Sequence, residues 1–164
     1  MPMSSWIGVS FPKLAFKIDV VSMVFFPDNS DLNLKISTDD FCSARPLSHH
    51  GFGYIWAGAR ATYGATRGKV CYEVRINSNE PVELEAEETP HVLRCGWSVD
   101  ETSMQLGEEP LSFGYGGTAK VSADCKFRDF GVSFGQGDVI GCFLVSPRTN
   151  ENKVYDFTFE MLVF

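Results

Sequence analysis

The chain has 164 residues, 44% of them hydrophobic and 13% aromatic, and a formal net charge of −7. That length suits one domain with a packed core, and the hydrophobic content excludes intrinsic disorder. The 14 Lys and Arg are scattered among 21 Asp and Glu with no basic run, which argues against autonomous binding to a phosphate backbone and for an acidic surface that keeps the domain soluble or meets a basic partner.

Residues 1–19 show no clear periodicity and form a poorly defined segment ahead of a domain spanning 20–164. Lys13, Lys17 and Asp19, with Pro2, Pro12 and Pro27, interrupt the apolar N-terminal run, so neither a spanning helix nor a signal peptide is expected, and no membrane is a partner. "VVSMVFF" (20–26) predicts a strand and "PDNSD" a turn. "LNLKIS" (32–37) alternates, with Leu32, Leu34 and Ile36 on one face. "TDDFCSARPLSHHGFG" reads as a loop rich in turn formers, and "YIWAGARATYGATRG" (54–68) as a short strand and a turn. "KVCYEVRIN" (69–77) is the cleanest strand, with Val70, Tyr72, Val74 and Ile76 on one face.

The glutamate-rich "SNEPVELEAEETP" (78–90) predicts a solvated loop or an acidic docking segment. "HVLRCGWSVD" (91–100) predicts a strand burying Leu93, Cys95, Trp97 and Val99. "GWSVDETSMQLGEEPLSFGYGG" (96–117) predicts a strand end, an irregular loop and a further strand, with Phe113 in the core and Tyr115 flanked by glycines. "KFRDFGVSFGQGD" (126–138) sets Phe127, Phe130 and Phe134 between turn glycines. "VIGCFLV" (139–145) is apolar on both faces, as in a central strand. "KVYDFTFEMLVF" (153–164) alternates again, with Tyr155, Phe157, Phe159 and Met161 facing inward. No long stretch has helical period, and strands recur between turn signals, which predicts an all-β sandwich.

Catalytic chemistry finds little support. Cys42, Cys71, Cys95, Cys125 and Cys142 include no CxxC pair, so free thiols are expected, at least three of them packed as small apolar residues, with no metal site. His49 and His50 fall in a polar loop. His91 and Cys95, four residues apart on a strand, would stand roughly 13 Å apart, too far for a proton relay. Adjacent Glu108 and Glu109 would point to opposite faces if extended. The reading is a non-enzyme without a cofactor.

"GYIWAGARATYGATRGKVCYEVRI", "LRCGWSVDETSMQLGEEPLSFGYGGT" and "FGQGDVIGCF" closely resemble the SPRY domain of the heterogeneous nuclear ribonucleoprotein U and U-like family, in order and from about Val20 to Phe143. The resemblance implies a bent, antiparallel β-sandwich of the SPRY/B30.2 type that takes protein or peptide ligands on a rim of inter-strand loops. It also implies nuclear localisation and a role in RNA processing or ribonucleoprotein complexes. The family's DNA-binding SAP motif, P-loop and Arg/Gly-rich tail have no match here, so RNA is not expected to bind this chain alone. The family's closing strands also lack a match after Phe143, which predicts a partial domain in which "VYDFTF" replaces one strand. The candidate contacts, chosen on local chemistry, are Trp56, Arg60 and Tyr63 in one loop region and Glu108, Glu109 and Tyr115 in another, because aromatic and Arg side chains dominate interface energetics. Arg60 has an equal alternative as one half of a buried ion pair. A direct RNA binder and a fragment without independent function remain the alternative readings. The partner and the oligomeric state are unspecified.

Overall fold

A computed structural model describes residues 7–10, 24–47, 55–66, 68–79, 92–146 and 157–163. The strands are β1 (Ile7–Ser10), β2 (Phe25–Ser30), β3 (Leu34–Ile36), β4 (Ser43–Pro46), β5 (Ala57–Ala65), β6 (Gly68–Arg75), β7 (Leu93–Val99), β8 (Ser112–Gly116), β9 (Lys120–Ala123), β10 (Lys126–Asp129), β11 (Val139–Ser146) and β12 (Phe157–Val163). Among the described residues there is no helix. Among the described residues every pairing is antiparallel, and the strands make two sheets, ordered β11-β6-β1-β4-β3 and β10-β9-β8-β7-β12-β5-β2. The chain is an all-β sandwich.

Alternation places the core. Tyr72, Val74 and Ile76 of the first sheet meet Leu93, Cys95 and Trp97 of the second, all buried. The rings of Tyr72 and Trp97 meet edge to face, 5.1 Å between centroids. The Tyr72 hydroxyl donates to Gly96 O at 2.7 Å, a bond from one sheet to the other's backbone. Tyr72→Phe removes that cross-sheet hydrogen bond and is expected to cost about 1 kcal/mol in denaturant unfolding.

β5 explains its own composition. Residues Ala57 to Ala61 are buried without a break, because both faces of the strand are covered. Ala57, Ala59 and Ala61 join the core, while Gly58 and Arg60 lie on the opposite face.

The structure departs from the sequence reading at particular elements. β2 begins at Phe25 and runs through the residues read as a turn; residues 20–23 lie outside those described. Pro27 has no N–H to donate, and the β2–β5 register shifts between Phe25 and Ser30. Leu32 is fully exposed in the turn before β3, not on its buried face. Ser43–Pro46, read as loop, is a strand, and β5 has nine residues. Ile7–Ser10 pairs with β4 and β6 although its sequence shows no period.

β11 was expected as a central strand and is an edge among the described strands. Its outward Val139, Phe143 and Val145 are 42%, 72% and 63% exposed. β12 pairs with both β5 and β7, level with Cys95 and Trp97 at Met161 and Phe159. Tyr155 and the glutamate-rich 80–91 lie outside the described residues.

Candidate functional site

Paired residues in an antiparallel ladder share a face, so the registers divide the β7–β10 sheet into two surfaces. On the outer one, Gly96, Gly114, Ser122 and Phe127 form one cross-strand row, and Arg94, Gly116, Lys120 and Asp129 another. The small residues make a bed for the loop 100–111. A Cβ at Gly107 would fall 1.9 Å from Ser122 Oγ, and one at Gly114 3.3 Å from Leu106, so the loop lies flush on the strands. Leu106 is wholly buried there.

Polar groups fasten this loop. Arg60 is 4% exposed and donates through Nη2 to Thr102 O at 2.6 Å and Ser103 O at 3.0 Å, and through Nη1 to Asp100 O at 3.3 Å. Its Nε reaches Ser98 Oγ at 3.4 Å, and the Asp100 carboxylate stands 3.8 Å away. The Gly107 N–H donates to Ser112 Oγ at 2.7 Å. Glu109 Oε1 accepts from the Ser103 N–H at 2.8 Å.

Hydrogen bonding by Ser103, side chain and backbone, with the Arg60 charge nearby, holds the Glu109 carboxyl below its ordinary 4.5. A depressed carboxyl stabilises the fold fully above its unfolded value. That contribution should disappear as pH falls from 4.5 through the lowered folded value, and Glu109→Gln should flatten this part of an acid titration of stability.

Arg94, which the sequence reading passed over, joins two of the candidates. Its guanidinium carbon lies 4.6 Å from the Trp56 ring centroid and 5.0 Å from that of Phe127. Its Nη1 pairs with Glu108 Oε1 at 3.2 Å. The arrangement holds an Arg between two aromatic rings and beside a carboxylate, so its charge is already engaged within the protein.

The inner surface is different. The row Trp97, Phe113, Ala123, Lys126 and the row Cys95, Tyr115, Val121, Arg128 each begin in the core and end in a cation. Cys142 of β11 touches Cys95 of β7, so the edge of the first sheet lies over β7. β8, β9 and β10 therefore extend beyond that edge. The overhang makes an open cleft of about 590 Å³, with these rows as floor, Phe130 at one side and Gly141, Cys142 and Phe143 of β11 as wall. Phe113, expected in the core, is 45% exposed in this cleft because no strand among those described covers β8 on that face. Tyr115 supports the floor: its hydroxyl donates to Val132 O and accepts from the Val132 N–H at 3.2 Å, while its ring meets Phe130 and Phe134.

The structure thus separates the six candidates. Trp56 and Glu108 come together through Arg94, and Arg60 and Glu109 through Ser103. Tyr63 stands 53% exposed on the later half of β5. Tyr115 alone lines the cleft. Arg60 is buried with its donors on loop carbonyls, and the Asp100 carboxylate beside it is exposed, so Arg60 and Asp100 do not make a buried ion pair. No three metal-ligating side chains converge among the described residues.

No family model matches the chain. It is 44% identical over 114 residues to heterogeneous nuclear ribonucleoprotein U-like protein 2 of Mus musculus, covering 70% of this chain and 15% of that protein. The protein of the same name from Homo sapiens is 43% identical over 114 residues, again 70% of this chain and 15% of its own length. The ATP-dependent RNA helicase Ddx1 of Drosophila melanogaster is 37% identical over 90 residues, 54% of this chain and 11% of the helicase. The chain is a homologue of one segment of these long proteins and matches only about a sixth or less of each.

Proposed function

We propose, from this kinship with one segment of the ribonucleoprotein U-like proteins, that the chain is a non-enzymatic protein-interaction module of the SPRY type. It would serve ribonucleoprotein complexes of the nucleus, where its named relatives supply the association with RNA processing. One observation carries the reading: an apolar cleft opens beside a strand edge that no described strand pairs with, and Phe113 and Phe143 are 45% and 72% exposed at its lining. An extended peptide laid along β11 would continue its hydrogen-bond ladder and set alternate side chains into the cleft. Arg128 at the far end of the floor favours an acidic residue in that peptide, whereas Lys126 beside it is paired with Asp124 at 3.0 Å. The loop face contributes shape, with its cations already paired internally.

Selection from a displayed peptide library tests this. Enriched sequences should carry alternate apolar residues and an acidic residue. Phe113→Glu and Phe143→Glu should each weaken their binding about tenfold or more while leaving the melt intact, since both rings already meet solvent. Absence of any enrichment, or equal binding by folded Phe113→Glu and Phe143→Glu, would refute the reading. A single-stranded RNA arm should show little binding and a shallow salt slope.

A further inference from the structure

Two thiols from opposite sheets meet at the inner end of the cleft. Cys95 on β7 is wholly buried, and Cys142 on β11 is half-buried and forms part of the cleft wall. Their Sγ atoms are 3.6 Å apart. A disulfide has its sulfurs about 2.05 Å apart, so closure requires an approach of roughly 1.6 Å. β7 is held on both sides, by β8 and β12, whereas among the described strands β11 pairs with β6 alone, so β11 is the element better able to make that shift.

We propose that Cys142 is a modification site for low-molecular-weight disulfides entering the cleft, and that Cys95 resolves the adduct into a Cys95–Cys142 bridge between the sheets. The Cys142 thiolate attacks one sulfur of the small disulfide. The disulfide bond breaks, and its other half leaves as a thiolate that takes up the proton Cys142 released. Cys95 then loses its proton and attacks the Cys142 sulfur, forming the cross-sheet bond and expelling the second small thiol. Two protein thiols are oxidised by two electrons, and one small disulfide is reduced to two thiols.

The order follows from position. Both thiols line the cleft, but Cys142 is half-buried on the wall strand while Cys95 is wholly buried in the floor. The hydrogen bond with Cys95 holds the Cys142 thiol below its usual value against the opposing effect of burial. The same contact, with burial, pushes the Cys95 thiol well up. The nucleophile and the resolving thiol are thereby distinguished. The bridge would fix β11 over β7 and set the position of the cleft wall.

The test treats the folded wild-type chain with glutathione disulfide, then digests it without reduction. The expected product is a peptide pair linked through Cys95 and Cys142, lighter than the two reduced peptides by two hydrogens and reversed by dithiothreitol. Cys95→Ala should retain one glutathione on Cys142, and Cys142→Ala should leave Cys95 unmodified. The wild-type cross-link decides the matter even if a variant does not fold. Failure to find that cross-link in the folded chain would overturn the proposal. So would its forming equally in denaturant, or an unmodified Cys142 in folded Cys95→Ala.

Discussion

Replacing Arg60 with alanine is expected to lower the unfolding free energy by about 3 kcal/mol, read as a lower denaturant midpoint at unchanged slope. The side chain is nearly fully buried, and its donors serve the carbonyls of Asp100, Thr102 and Ser103 together with the hydroxyls of Ser98 and Thr102. These are the groups by which the loop 100–111 is tied to the sheet. Alanine leaves carbonyls without donors and opens a cavity beside β5. The Asp100 pair is a small part of the effect, because that carboxylate is 71% exposed and solvent screens it. Arg60→Lys should recover only a minor share, since one ammonium cannot span acceptors that the planar fork reaches from separate nitrogens. An Arg60→Ala chain as stable as wild type would mean that the loop holds its place by apolar contact alone.

Gly96→Ala should be at least as damaging, about 3 kcal/mol or more. A Cβ there would lie 1.8 Å from the backbone oxygen of Phe113 on the neighbouring strand. No side chain can rotate away from that contact; β7 and β8 must separate. Separation also disturbs the Gly96 carbonyl that receives the Tyr72 hydroxyl, so the damage reaches across the sandwich. Gly135→Ala is the matched control: nothing lies within 4 Å of its Cβ position, and its effect should stay within about 0.5 kcal/mol. Equal stability of Gly96→Ala and Gly135→Ala would exclude the close β7–β8 register.

The sequence made the fold class legible because period-two alternation is local. Tyr72, Val74, Ile76, Leu93, Cys95, Trp97 and Val99 could be assigned to buried faces from their own neighbours. What covers a face is not local. "VIGCFLV" has apolar residues on both sides, and nothing in its seven letters distinguishes a strand with sheet neighbours on both edges from an edge strand with exposed Phe143. Phe113 failed for the same reason: its alternation is correct, but no described strand of the facing sheet reaches it. Arg60 was legible in its surroundings, since small residues on either side leave room for one long side chain that must find acceptors. Arg94 was not, because its partners Trp56, Glu108 and Phe127 come from three separate segments brought together by register.

Residue-resolved amide hydrogen exchange on the purified chain, alone and with a library-selected peptide, tests the open strand edge most directly. Along Val139–Ser146, amides turned toward β6 should exchange slowly and the alternate ones, turned away, fast; the peptide should slow the fast set. Uniform protection of β11 without peptide would show that the edge is already occupied, and unchanged exchange under saturating peptide would show that the partner binds elsewhere.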